Sequence, residues 1–174
     1  MSEIQIETIV TRFFRDFSRL EYALKRAGYV KPRGNSIDAQ VDWSRFANCH
    51  ADSFNRLLEE DANISLKKSV EFMRCDPPRK LVMIQKDGNP HLCWKRADPA
   101  GNTLKELLVL VCRVRNNLFH GEKPETVIGG SKRGRELIEK SLKIITTCVS
   151  LDDQVKNAFE QYTHPPVPRC DSDS

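Results

Sequence analysis

An all-α domain with one small interruption is the fold this sequence predicts, and three observations predict it. Apolar residues recur at helical spacing through most of the chain. The run Leu104–Val114 is apolar on most sides, the mark of a helix wrapped by other helices. Only residues 76–102 break the rhythm, with Pro77-Pro78, the apolar run Leu81-Val82-Met83-Ile84 and the turn Asp87-Gly88-Asn89-Pro90. At 174 residues, 39% hydrophobic and 30% charged, the chain suits one soluble domain with a real core. That domain is expected over residues 1–162, with the insertion at about 76–102 and a Pro-rich, polar, disordered tail at 163–174.

The elements follow in order. Residues 2–28 read as a long helix with Ile6, Ile9, Val10, Phe13, Phe17, Leu20, Leu24 and Ala27 on one face. Ser2 with Gln5 forms a capping box, and Gly28 stops the helix before Pro32. Glu21, beside that face, pairs with Lys25 four residues on, or alternatively with an arginine of a site; the first reading is the stronger. Residues 29–41 form a loop. Asp42 caps a second helix to about Glu60, whose buried stripe includes His50, read as a satisfied core histidine rather than a catalyst. A short helix, Ser65–Arg74, ends at Asp76-Pro77-Pro78. Residues 80–96 read as a small β-hairpin or an irregular lid, which alone is marginal and must lean on the helices. Thr103 with Glu106 caps the next helix. After it, Pro124 and Gly129-Gly130 mark a loop, and Ser131 caps a helix buried through Leu137, Ile138, Leu142, Ile145 and Val149. Ser150 with Asp153 recaps a last helix, Leu151–Tyr162.

Composition excludes several classes. A net charge of +4 permits a nucleic-acid partner without requiring one. No apolar run approaches the ~20 residues of a membrane span, and MSEIQIETIV lacks the basic start of a secretory signal, so a cytoplasmic location is expected. The six cysteines form no C-x-x-C pair and read as reduced, mostly buried thiols. The four histidines show no zinc-like spacing, so neither a metal nor another cofactor is expected. No helix combines a dense basic face with helix-turn-helix spacing, which speaks against a DNA-binding regulator.

The stretch Leu104–Lys123, LKELLVLVCRVRNNLFHGEK, carries the chemistry. Its first half is buried in character through Leu104, Leu107, Leu108, Leu110, Val111 and Val114. Its second half carries Arg113, Arg115, Asn116, Asn117 and His120, then meets Gly121. Polar groups at the end of a buried helix lose hydration unless they are paired or face a cleft. Such a conflict between burial and polarity marks a functional site. At about 100° per residue, Asn116 and His120 lie one turn apart, with Arg113 nearly in line. Arg115 stands about 140° from His120 on an ideal helix, but its side chain is long and Gly121 suits a helix end. One patch can thus gather a cation, an amide and an imidazole. The plainer reading is solvated charge paired with acidic neighbours. Further on, Lys132, Arg133 and Arg135 occupy the first turn of a helix, the end where the dipole disfavours cations. Either a bound phosphate explains them, with Lys132 and Arg133 as ligands, or they are simply solvated.

Arg115-Asn116-Asn117-Leu118-Phe119-His120 resembles the R-x4-6-H signature of the HEPN family, in which a polar residue such as Asn116 follows the arginine. The resemblance covers this helix and, beyond it, only the all-helical outline. It implies an up-and-down helical bundle that forms a homodimer, commonly a metal-independent endoribonuclease with a composite site at the dimer cleft. Such proteins serve as toxins or in antiviral defence, and some relatives are silenced by a nucleotidyltransferase-type antitoxin. Others are non-catalytic modules that dimerise or bind a nucleotide or a protein.

The residues themselves suit RNA cleavage. The ribose 2′-hydroxyl is a built-in nucleophile. His120 would move its proton, since imidazole titrates near working pH. Arg115, always charged, would bind the phosphoryl oxygens, and Asn116 would hold the imidazole or bond phosphate. Arg113, Lys132 and Arg133 are further candidates for binding RNA phosphates. One chain supplies one such imidazole where cleavage wants an acid and a base, so two copies face to face would complete the site.

Overall fold

The computed structural model describes residues 3–31, 39–97, 101, 103–120 and 132–161. The first helix, α1 (Glu3–Arg26), ends as its sequence dictates. Gly28 adopts φ 85°, which a side chain would resist, and the chain reverses there. The Tyr29 N–H donates to the Leu24 carbonyl at 2.9 Å and the Gly28 N–H to Lys25 at 3.1 Å, closing a Schellman motif. The following loop is pinched at its base by an antiparallel bridge between Val30 and Val41; residues 32–38 within it, like Ser2 of the expected capping box, lie outside the described residues.

The expected second helix is two: α2 (Trp43–Cys49) and α3 (Ala51–Glu59), broken at His50. Asp42 caps α2 by accepting from the Arg45 N–H. The break has a cause in side-chain bonding. His50 Nε2 lies 2.9 Å from the Tyr29 hydroxyl, which donates to Asp152 Oδ2 at 2.8 Å. Asp152 also accepts the N–H groups of Gln154 and Val155 through its other oxygen. It therefore caps the last helix, α7 (Asp153–Gln161), in the place expected for Ser150, whose hydroxyl instead donates to Thr147. One carboxylate thus ties together the end of α1, the α2–α3 break and the start of α7. Burial and the bond to Asp152 push the Tyr29 phenol up to about 12. Burial acts to raise the Asp152 pKa, but Tyr29, the two backbone N–H groups and His50 outweigh it and hold the carboxyl below its usual range.

A 3-10 turn, Asp61–Asn63, leads into α4 (Ile64–Cys75). The insertion is the expected hairpin: β1 (Lys80–Lys86) pairs antiparallel with β2 (Asn89–Lys95), from Lys80 opposite Lys95 to Lys86 opposite Asn89. Asp87 and Gly88 both take positive φ, 52° and 77°, as a two-residue type I′ turn requires. Thr103 and Glu106 exchange the reciprocal bonds of a capping box at the start of α5 (Leu104–His120).

The centre of the molecule is α6 (Lys132–Ser150), which packs against α1, α4, α5 and α7. Its buried face is wider than the expected stripe and includes Gly134, Ser141, Ile144, Thr147 and Cys148. A helix with neighbours on so many sides needs small residues where backbones approach. α5 packs on α2, α4 and α6 and buries the six apolar residues expected of it. The cysteines depart from expectation. Of the five described, only Cys148 is buried; Cys49 and Cys75 are exposed, because each is the last residue of its helix. No helix among the described residues is long and apolar enough to cross a membrane. The 121–131 stretch with Ser131 and the tail 162–174 lie outside the described residues.

Two stability tests follow. Since Asp152 titrates lower in the folded state, its contribution is fully present above an unfolded carboxyl pKa of about 3.9 and is lost as pH falls through the lower folded value. Asp152→Asn should therefore cost about 1–2 kcal/mol at neutral pH, a deficit that closes in urea titrations carried into acid. The Ser141 hydroxyl is buried with no hydrogen-bond partner among the described residues. Ser141→Ala should raise stability by about 1 kcal/mol, or roughly 2–4 °C in Tm for a chain of this size.

Candidate site at the end of α5

The last two turns of α5 present two faces. Arg115 points toward α1. Its guanidinium lies 4.6 Å over the Phe119 ring and 5.8 Å from that of Phe17. Phe119 in turn meets Phe14 edge-on, with centroids 4.6 Å apart, yet is 58% exposed. The aromatic faces attract the cation and restrict it. Arg115 Nη1 donates to Asn116 Oδ1 at 3.1 Å, so the two motif residues are already joined. The carbonyl oxygen of Asn116 thus holds the arginine. The backbone of α5 runs to His120, one turn beyond Asn116, and the His120 side chain lies outside the described residues. Nearby, burial first and Glu21 second push the Cys112 thiol up to about 12 against the opposing pull of Arg115, which disfavours the thiolate. Among the described residues no ion pair joins Glu21 to Lys25 or to Arg115.

The other face meets the mounting of the hairpin. Arg113 Nη1 reaches the Pro78 carbonyl at 3.4 Å, and Asn117 Nδ2 donates to the Arg79 carbonyl at 3.0 Å. From α6, Arg133 donates to both carboxylate oxygens of Asp76, at 2.6 and 3.0 Å, and to the Pro77 carbonyl at 2.8 Å. The anion sought at the start of α6 is thus supplied by the chain itself. Arg133 holds the Asp76 carboxyl below its usual range against the opposing effect of burial, with help from Arg96 and Arg79. Arg135 bonds Glu139 at 2.6 Å. Lys132 is exposed on the first turn of α6. So the structure brings Arg115 and Asn116 into contact, sets Arg113 on the hairpin side, and ties Arg133 to Asp76.

The sequence reading missed Lys80 and Trp94. With Arg113, Asn116 and Asn117 they line a cavity of about 370 Å³ between the hairpin and α5. No local pattern marks them, because the cavity exists only once the hairpin is mounted. Arg79, Arg96 and Arg133 all lie near the Asp76 carboxylate, while the cavity lining itself includes the cations Lys80 and Arg113. Among the described residues no group of three or more His, Cys, Asp or Glu is placed to hold a metal ion.

No family model matches the chain, and no curated protein or solved structure is significantly similar to it.

Because Arg133 engages Asp76 through two parallel bonds, a point-charge ammonium cannot replace it. Arg133→Lys and Arg133→Ala should both lower stability, by about 0.5–1 kcal/mol after allowing for solvent screening of a partly exposed pair. Chemical denaturation of the three proteins checks this, and a lysine variant as stable as wild type would contradict it.

Proposed function

We propose that the protein is a metal-independent endoribonuclease of the HEPN type, an up-and-down helical bundle acting as a homodimer. The observation that carries the reading is the Arg115–Asn116 bond on the last turns of α5, one turn before His120, beside a cavity whose lining includes the cations Lys80 and Arg113. A guanidinium held by an amide and two aromatic rings is preorganised, so it neutralises phosphoryl oxygen charge with little reorganisation.

In this mechanism His120 of one copy takes the 2′-hydroxyl proton. The O2′ attacks phosphorus and the bond to the 5′-oxygen breaks. His120 of the second copy protonates the leaving oxygen. Arg115 binds the nonbridging oxygens as charge develops, and Asn116 fixes Arg115 while its N–H2 is free to donate to phosphate. The products are a 2′,3′-cyclic phosphate and a 5′-hydroxyl end. The exposed Phe119, packed on Phe14 at this same end of α5, supports a contact between copies here. The proposed setting is a cytoplasmic toxin or antiviral effector, with a nucleotidyltransferase-type antitoxin as the regulatory partner.

Wild type should cut total RNA into discrete fragments with EDTA present. His120→Ala should lose about 10²–10⁴-fold in rate. Arg115→Ala should lose about 10²–10³-fold, as removal of one transition-state donor does, with its fold retained by circular dichroism. Absence of cleavage by wild type, with nucleotide or protein binding intact, would assign the same residues to a non-catalytic binding module.

A further inference from the structure

The cavity between the hairpin and α5 has three properties that belong together. Its lining is partly aromatic and apolar, through Trp94, Leu81 and Val82. It also includes the cations Lys80 and Arg113. The amide residues Asn116 and Asn117 complete it. Its volume of about 370 Å³ falls in the ~300–1,000 Å³ range of small-molecule sites. Trp94 lies directly opposite Leu81 in the hairpin register, so the two side chains share one face of the hairpin.

Arg113 gives the cavity its chemistry. Burial alone depresses its pKa, and among the described residues no carboxylate pairs with it. Among the described residues its hydrogen bond is to the Pro78 carbonyl, and it is long at 3.4 Å. A half-buried guanidinium without a counter-charge is costly unless an anion arrives. Lys80, exposed at the rim, adds a second cation. The amides complement each other as readers of a base edge. Among the described residues, Asn116 gives its oxygen to Arg115 and retains two N–H donors, whereas Asn117 gives an N–H to Arg79 and retains its oxygen as an acceptor.

We propose that this cavity is a nucleotide subsite for single-stranded RNA: one base stacks on Trp94, its edge meets Asn116 and Asn117, and the adjoining phosphate lies between Lys80 and Arg113. The assignment rests on the ribonuclease reading for its orientation toward His120, since Asn116 both lines the cavity and holds Arg115. The subsite would hold the nucleotide flanking the scissile bond and make cleavage depend on an unpaired base. A duplex, with its bases stacked inside, cannot fill it.

The test uses fluorescence. The chain has two tryptophans, and Trp43 packs against Phe17 on the α2 side, so Trp43→Phe leaves Trp94 as sole reporter. In the full-length Trp43→Phe, His120→Ala protein, a ten-nucleotide oligoadenylate should quench the emission saturably. An equal concentration of inorganic phosphate should not quench it, and a duplex RNA of the same length should do so far less. Trp94→Leu in the otherwise natural chain, followed by anisotropy of labelled RNA, should weaken binding about five- to a hundredfold. Trp94→Phe, which keeps a ring, should recover most of that loss. Lys80→Gln, an exposed change that spares the fold, should lower the slope of log affinity against log salt by about 0.7. Unquenched Trp94 at saturating RNA, or an unchanged slope in Lys80→Gln, would overturn the subsite. If RNA is cut normally in those cases, the ribonuclease reading stands and the subsite alone falls. If quenching is seen but wild type cuts no RNA, the catalytic reading falls and the cavity remains a nucleotide site.

Discussion

The attachment of the hairpin to the helices is the constraint on which the rest of the site depends. Residues Asp76 to Arg79 leave α4 through two consecutive prolines, which have no N–H to offer. Buried carbonyls need donors. The donors come from two helices: Arg133 of α6 serves Asp76 and Pro77, Arg113 of α5 serves Pro78, and Asn117 of α5 serves Arg79. Without these bonds a two-stranded hairpin would have little to hold it, since such pairs are marginal alone. With them, its Trp94 and Lys80 are fixed against α5. The polarity at the end of α5 therefore has two origins. Arg113 and Asn117 answer to the mounting, and Arg115 and Asn116 answer to each other.

The helical core makes that precision possible. α6 lies among four other helices, so its position is set from several sides at once, and α5 is fixed against it by Leu107, Leu108, Val111 and Val114, all essentially sealed from solvent. A side chain on α5 cannot rotate to a new face without breaking this packing. The stagger between Arg113 and Arg115 is consequently permanent: one faces the hairpin and the other faces α1. Asn116 follows Arg115 in sequence and links the two faces by accepting from Arg115 while lining the cavity. The Tyr29–His50–Asp152 cluster does comparable work at the opposite side of the fold, where it joins α1, the α2–α3 break and α7.

What was legible in the sequence follows from what is local. Helical periodicity located α1, α4 and α5 to within a few residues, the Asp87-Gly88 pair located the hairpin turn, and the Thr103–Glu106 spacing located a capping box. Each of these is written within a few residues of chain. The cap of α7 belongs not to Ser150 but to Asp152, two residues later, which also bonds Tyr29, 123 residues away. The ion pair of Arg133 with Asp76 spans 57 residues, and nothing near Arg133 in sequence announces it. Likewise the pattern of α6 suggested a narrow stripe, since Ser141, Thr147 and Gly134 look like surface residues until helices lie against them. The cavity was invisible for the same reason, as its walls come from β1, β2 and α5.

The arrangement at the end of α5 bears on why two copies would be needed. Phe119 is large, apolar and more than half exposed, yet it sits directly under the Arg115 guanidinium. In a monomer this exposes apolar surface to water and leaves the cation well hydrated, where its field is weak. Covering Phe119 with the same surface of a second chain would remove both defects. It would bury apolar area, and it would lower the dielectric around Arg115 so that its charge acts more strongly on a bound phosphate. A two-fold contact is the economical way to do this, because one patch then serves both partners. Under the ribonuclease reading the same contact brings two copies of His120 to one cleft. The exposed aromatic ring and the single histidine of the motif then follow from one cause, a site that is complete only when shared.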